Sequence, residues 1–166
     1  MKVFAFIFAR GGSKGIPKKN IKKLFNKPLI YYSIEIAKKN KLIDRVFVST
    51  DDEKISDISL KYGAEIINRP KKLAKDNSSE FDAWKHAINY LEKRNINFNV
   101  FISLPATAPL RNDSDINKCI NLFNDEVDVV ATMTEAARSP YFNMVEKSKN
   151  GFLNKVINDS TNFKNR

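Results

Sequence analysis

Short apolar runs alternate with longer amphipathic stretches along most of this chain. Five runs read as strands covered on both faces: 3–9 (VFAFIFA), 45–50 (RVFVST), 64–68 (AEIIN), 99–104 (NVFISL) and 127–133 (VDVVATM). They are short and rich in Val, Ile and Phe, as doubly covered strands are. Between them, apolar residues recur at helical spacing over 28–40, 52–62, 79–94 and 113–124. In 79–94 the set Phe81, Trp84, Ile88 and Leu91 steps by three and four and predicts one buried face. Asp113 or Ser114 stands where an N-cap is needed for the helix that carries Ile116, Cys119, Ile120 and Phe123.

Such alternation predicts βαβ units and a mostly parallel sheet. No repeat, low-complexity tract or linker interrupts it, so one domain is expected over 1–166. Beyond residue 136 the pattern changes. The stretch YFNMVEKSKNGFLNKVI (141–157) reads as two strands around a Lys149-Asn150-Gly151 turn, and the polar NDSTNFKNR (158–166) offers no closing element. The α/β domain therefore reads as lacking its last part.

Composition narrows the function classes. The net charge of +10 would suit a nucleic-acid partner. The lysines, however, are scattered as pairs (18–19, 22–23, 38–39, 71–72) through a chain crowded with Asn and Ile. That is a background bias rather than a basic stripe, and no nucleic acid is expected. No apolar run approaches the roughly 20 residues of a membrane helix. Arg10 and Lys14 follow directly on the first apolar run, unlike a signal peptide, so a cytoplasmic protein without a membrane partner is expected. The single cysteine, Cys119, allows no disulfide within this chain and reads as a core thiol. The lone histidine, His86, has no Cys or His cluster around it, which argues against zinc.

The candidate chemistry lies in FARGGSKGIPKKN (8–20), where three glycines and four cations follow the first strand. Ligands of open α/β sheets bind beyond the carboxyl ends of the strands, where strand order reverses. Gly11, Gly12 and Gly15 are expected to supply backbone angles closed to other residues and to converge N–H groups on an anion. Arg10, Lys14, Lys18 and Lys19 could neutralise a polyphosphate. The string is neither a P-loop nor a dinucleotide fingerprint, because Ile16-Pro17 intervenes and the next helix waits until about Pro28. Asp51 and Asp52 form the most visible acidic pair. They read as the start of a helix, with a metal site as the alternative.

The segment ARGGSKGIPKKNIKKLFNKPLIYYSIEIA resembles the opening of the acylneuraminate cytidylyltransferases, which make CMP-activated sialic acids and related nonulosonic acids. DRVFVSTDDEKISDISLKYGAEIINRP, LAKDNSSEFDAWKHAI, FISLPATAPLR and DVVATMTEA agree in order and spacing. The resemblance implies a Rossmann-like, three-layer nucleotidyltransferase fold. It also implies transfer of CMP from CTP to the anomeric hydroxyl of a nonulosonic acid, with release of pyrophosphate.

Residue by residue, the resemblance puts Arg10, Ser13, Lys14, Lys19 and Asn20 on the nucleotide phosphates, with Arg10 and Lys19 the catalytic pair and Lys18 the doubtful member. Arg69 falls at the cytosine and ribose end, and Ser78, Ser79 and Glu80 in the segment that reads the base. One of the two serines could equally cap the following helix. Thr107 and Arg111 match positions facing the sugar acid, where a guanidinium can hold a carboxylate through two hydrogen bonds. Pro105 and Ala108 stand where sialic acid enzymes often carry Gln and Ser, which leaves the sugar open.

Magnesium is implied as cofactor, with its paired aspartates in a tail this sequence does not contain, and a homodimer is an open expectation. The alternatives are a nucleotide-binding remnant without catalysis and a 3-deoxy-octulosonic acid cytidylyltransferase. The loop of the latter, Arg-Leu-Pro-x-Lys, is poorly matched by Ser-Lys-Gly-Ile-Pro-Lys-Lys-Asn.

Overall fold

The computed structural model describes residues 1–141 and 143–157. These fall into two compact units, one over 1–128 and one beginning at 129. The segment NDSTNFKNR, expected to form no closing element, lies outside the described residues, as does Phe142.

The first unit runs β1 (Val3–Phe8), a 3-10 turn (Lys19–Ile21), β2 (Lys23–Leu24), β3 (Lys27–Pro28), α1 (Leu29–Lys39), β4 (Arg45–Thr50), α2 (Glu53–Lys61) and β5 (Glu65–Asn68). A second 3-10 turn (Lys71–Leu73), α3 (Glu80–Glu92), β6 (Val100–Ser103) and α4 (Asp113–Leu122) complete it. Four strands form a sheet in the order β5-β4-β1-β6, and every pairing is parallel. The four apolar runs between residues 3 and 104 thus become the strands expected of them.

β1 shows why the sheet is covered on both faces. Its residues alternate: Val3, Ala5 and Ile7, followed by Ala9, pack with Ile30 and Ile34 of α1, Ile55 of α2 and Ile116 and Ile120 of α4. Phe4 and Phe6 point the other way, to Phe47 of β4 and Ala87 and Leu91 of α3. Helices on two faces of a parallel sheet make three layers, as expected.

The aromatic layer also corrects the predicted face of α3. That helix buries Ala83, Ala87 and Leu91, while Phe81 is 57% exposed. Stacked rings such as Phe6 and Phe101, 4.3 Å apart, already fill the space above the sheet, so methyl-sized side chains fit between helix and rings. Trp84 lies at the margin against Phe8 and Phe101.

Helix starts follow local hydrogen bonding. Asp52 caps α2 by accepting from the Ile55 amide at 3.0 Å, and Ser79 caps α3 by accepting from Phe81. For α4 the cap is Asn112 rather than Asp113 or Ser114. Asn112 and Asp115 exchange side-chain-to-backbone bonds in a reciprocal capping box, and Asp113 is already helical. The β2–β3 hairpin turns on Phe25 and Asn26, both at positive φ, 44° and 64°; Asn favours that conformation and Phe does not.

The segment 127–133 is not a strand. It joins no ladder, and Val129 and Met133 are 78% and 94% exposed. Strand propensity is realised only where the backbone finds a partner edge and the side chains find cover, and neither is present there.

In the second unit, β7 (Val145–Lys147) and β8 (Leu153–Lys155) pair antiparallel. Ser148 donates its amide to the Phe152 carbonyl at 2.8 Å, and Gly151 adopts φ 84°, a conformation that favours glycine. This is the hairpin expected around Lys149-Asn150-Gly151.

Candidate functional site

β1 has β4 and β5 on one side and β6 on the other, so strand order reverses between β1 and β6. The segments leaving their carboxyl ends diverge and open a crevice. A cleft of about 770 Å³ lies there, lined by the loop after β1, by Arg69, by residues 73–80 and by the segment after β6.

Arg10, Gly12, Ser13, Lys14, Gly15, Lys19 and Asn20 line this cleft, joined from β5 onward by Arg69, Ser78, Ser79 and Glu80 and from β6 by Thr107. Two expected site residues do not line it, Gly11 and Arg111. The amide of Gly11 donates to Oδ1 of Asp51 at 3.0 Å. A methyl at Gly11 would stand 2.7 Å from Oδ2 of Asp52. Gly11 is therefore a point of close approach between the loop and the β4–α2 turn.

The expectation that the loop glycines carry unusual backbone angles also fails. None of the three takes positive φ; the left-handed residue in the loop is Lys18, at φ 52°. Its carbonyl accepts from the Ile21 and Lys22 amides and closes the 3-10 turn. Lys18 thus contributes backbone geometry, and it does not line the cleft.

Asn20, 7% exposed, donates Nδ2 to the Arg10 carbonyl at 3.1 Å and ties the end of the loop to its start. The Arg10 guanidinium reaches across the cleft to Asp76 at 2.9 Å, and Lys14 meets the other carboxylate oxygen at 2.6 Å. The Lys14 hydrogen bond, with the charges of Lys14 and Arg10, holds the Asp76 carboxyl below its ordinary range. Ser78 braces the same segment, accepting from the Lys75 amide and donating to the Lys72 carbonyl. Of the two serines, Ser79 is thus the helix cap.

Arg69 is 8% exposed, with Nη2 donating to the Ser49 carbonyl at 3.3 Å and Nε without a hydrogen-bond partner. Burial lowers its pKa; Asp51 and Glu80 act against that, and Arg10 adds to it. A guanidinium stays charged under such a shift. A buried positive charge with an unmade hydrogen bond at a cleft wall suits an acceptor-rich ligand.

After β6 the picture differs. Thr107 is exposed at the cleft, but Arg111 is turned away, its Nη2 donating to the Pro105 carbonyl at 2.5 Å. Ser33 of α1 donates to that same carbonyl. Arg111 instead lines a separate groove with Tyr32, Glu35, Lys39 and Asp113, where burial lowers its pKa.

Residues 4–160 match the profile of a protein family described as Cytidylyltransferase. The chain belongs to the cytidylyltransferase family. It is 39% identical, over 90% of its own length, to post-translational flagellin modification protein B of Campylobacter coli, and spans 68% of that relative. It is 42% identical over 74% of its length to a pseudaminic acid cytidylyltransferase of Campylobacter jejuni, of which it spans 53%. Among solved structures, a CMP:2-keto-3-deoxy-manno-octonic acid synthetase complexed with CTP superposes with a TM-score of 0.59. That match has 23% identity and covers 73% of this chain and 46% of the other, a likeness in fold.

For this cytidylyltransferase family member, three of the acids near the cleft are engaged, Asp51 with Gly11, Asp52 with Ile55 and Asp76 with Arg10 and Lys14, while Glu80 lines the cleft. Among the described residues no group of three or more His, Cys, Asp or Glu side chains is placed to hold a metal. Asp76 is the site residue that the sequence reading passed over. Its only signal was an acid between two basic segments, which becomes meaningful once the chain folds back across the loop. No helix among the described residues is long and apolar enough to cross a membrane.

Proposed function

We propose that the cleft binds CTP and that the protein transfers CMP to a nonulosonic acid, with release of pyrophosphate. One observation carries the reading. Arg10, Lys14, Lys19 and Arg69 converge with Ser78, Ser79 and Glu80 on a single cleft at the switch point of the sheet. In this reading Arg10, Ser13, Lys14, Lys19 and Asn20 take the phosphates, and Arg10 and Lys19 stabilise charge on the α-phosphate and the departing pyrophosphate. Gly12 and Gly15 keep the loop open to the ligand, and Gly11 sets its course. Ser78 and Glu80, beside the buried Arg69, face the nucleoside. Cytosine offers an amino donor where uracil has an acceptor, and a mismatch would leave a buried polar group unpaired. Thr107 meets the sugar acid; Arg111 reaches it only after leaving Pro105.

A nonulosonic acid is favoured over a 3-deoxy-octulosonic acid because relatives 42% and 38% identical are named for pseudaminic and diacetyllegionaminic acid, whereas the octulosonic match is a likeness in fold at 23% identity. Among the described residues no group of three or more acidic, His or Cys side chains is placed to hold magnesium. A single cytoplasmic domain over 1–166 and a homodimer are part of the proposal. The exposed Val145, Phe152 and Leu153 of the β7–β8 hairpin support an association surface.

The test is a coupled pyrophosphate assay with CTP and a panel of nonulosonic acids. Release of pyrophosphate that requires both the acid and CTP is expected, more slowly than for a full-length relative. Release that ignores the acid, or none with any acid of the panel, would overturn the reading.

A further inference from the structure

We propose that Asp51 is a positioning residue: it locks the orientation of the Arg10–Gly11 peptide and so sets where Arg10, Ser13 and Lys14 stand in the cleft. The sequence reads Asp51 as the start of a helix or a metal ligand. The cap of α2 is Asp52, so Asp51 does not start that helix and its side chain is left to the loop after β1.

The decisive geometry is that one peptide unit is held from both sides. Its N–H, that of Gly11, donates to Oδ1 of Asp51 at 3.0 Å. Its carbonyl, that of Arg10, accepts from Nδ2 of Asn20 at 3.1 Å. Rotating this peptide plane would break both bonds at once. One residue earlier, the Ala9 amide donates to the Ser49 carbonyl at 3.0 Å, so the β1–β4 ladder holds the chain up to the clamp.

Asp51 is itself fixed by its neighbours. The Asp52 amide donates to Thr50 Oγ1 at 3.1 Å, and its Oδ1 accepts from Ile55. The Asp52 side chain fills the space that a Cβ at Gly11 would need. The Thr50-Asp51-Asp52 turn is thus a fitted seat, and the only residue it admits opposite Asp52 without a shift is glycine. An aspartate also suits the surroundings electrostatically, since Arg69 lies buried within reach of its charge.

The consequence for binding rests on the nucleotide reading above; the clamp itself belongs to the nucleotide-free protein, and the test keeps the two apart. Amide hydrogen exchange at Gly11 is followed by NMR without nucleotide, and CTP affinity is measured by titration calorimetry, for wild type, Asp51→Ala and Asp51→Asn. Asn keeps an oxygen acceptor in the same place.

In Asp51→Ala, Gly11 exchange should accelerate and CTP affinity fall, each by about tenfold, the worth of one hydrogen bond to a charged group. In Asp51→Asn, both should return to within about threefold of wild type, the difference between a charged and a neutral acceptor. Unchanged Gly11 exchange in Asp51→Ala, or an Asn variant no better than Ala, would overturn the proposal. If circular dichroism shows Asp51→Ala unfolded, Asp51→Asn decides: a protected Gly11 supports the clamp, and a lost one in a folded protein contradicts it. Wild type that binds no CTP would sink the nucleotide reading, while Gly11 exchange would still judge the clamp.

Discussion

The two loops that border the cleft leave neighbouring strands, yet they are built differently. The loop after β1 is tied down by Asn20, by Asp51 and through the Asp76 ion pairs, and it delivers Arg10, Ser13, Lys14, Lys19 and Asn20 to one wall. The segment after β6 delivers Thr107 but turns Arg111 onto the Pro105 carbonyl, into another groove. The first loop has partners on the β4–α2 turn, Asp51, and on the segment before α3, Asp76, all within the first unit. The lesson is that the wall we assign to the phosphates gathers all of its expected side chains at the cleft, while the wall we assign to the acceptor delivers Thr107 and not Arg111.

The largest expected effect breaks the first wall. Arg10→Ala should weaken CTP binding by about ten- to a hundredfold, the loss of a charge-assisted hydrogen bond, with Lys19→Ala at the lower end. Both should leave circular dichroism unchanged, because loop residues carry little of the core. Normal CTP binding by either variant would contradict the assignment.

A second effect, smaller and opposite in sign, concerns Asp76. Its carboxylate occupies Arg10 and Lys14, so Asp76→Asn should tighten CTP by about threefold, the scale of an exposed ion pair. Weaker binding would mean that Asp76 aids the ligand instead. The depressed carboxyl has a stability consequence as well. Its contribution is present above the ordinary carboxylate pKa and disappears as pH falls through the depressed one. Acid melting of the Asn variant should lack that component.

Arg111→Ala sharpens the contrast from the other side. CTP affinity should stay within about twofold of wild type, since a residue outside the cleft makes no binding contact. A tenfold loss would show that Arg111 swings in for the nucleotide.

The smallest effect is on the scaffold. Burial, aided by the charges of Arg69, Lys72 and Lys93, lowers the pKa of His86 on α3. The neutral form is favoured in the folded state, so stability should fall as pH drops below the ordinary value near 6.5 and level off below the lowered one. Melting temperatures at several pH values for wild type and His86→Gln should diverge in that window alone.

How far the sequence foretold this follows from which interactions are local. Strands β1, β4, β5 and β6 and the four helices were legible because burial imposes a period along the chain. Residues 127–133 misled because the same apolar pattern appears without a partner edge. Phe81 misled because the sequence did not reveal how thick the facing aromatic layer is. The cleft residues were legible through family resemblance, since Arg10 and Arg69 are far apart in sequence. What stayed hidden were the loop contacts: Asp76 on Lys14 and Asp51 on Gly11 between segments, and Arg111 on Pro105 within one. None has a local signature.

The most direct test of the central claim is calorimetric titration of the 166-residue chain with CTP, UTP, ATP and GTP. The nucleotide wall we propose, with Arg69, Ser78 and Glu80 facing the base, predicts CTP tighter than the others by about tenfold or more, the cost of a mismatched hydrogen-bonding group. Equal affinities would reduce the cleft to a general polyphosphate site, and no binding at all would contradict the account.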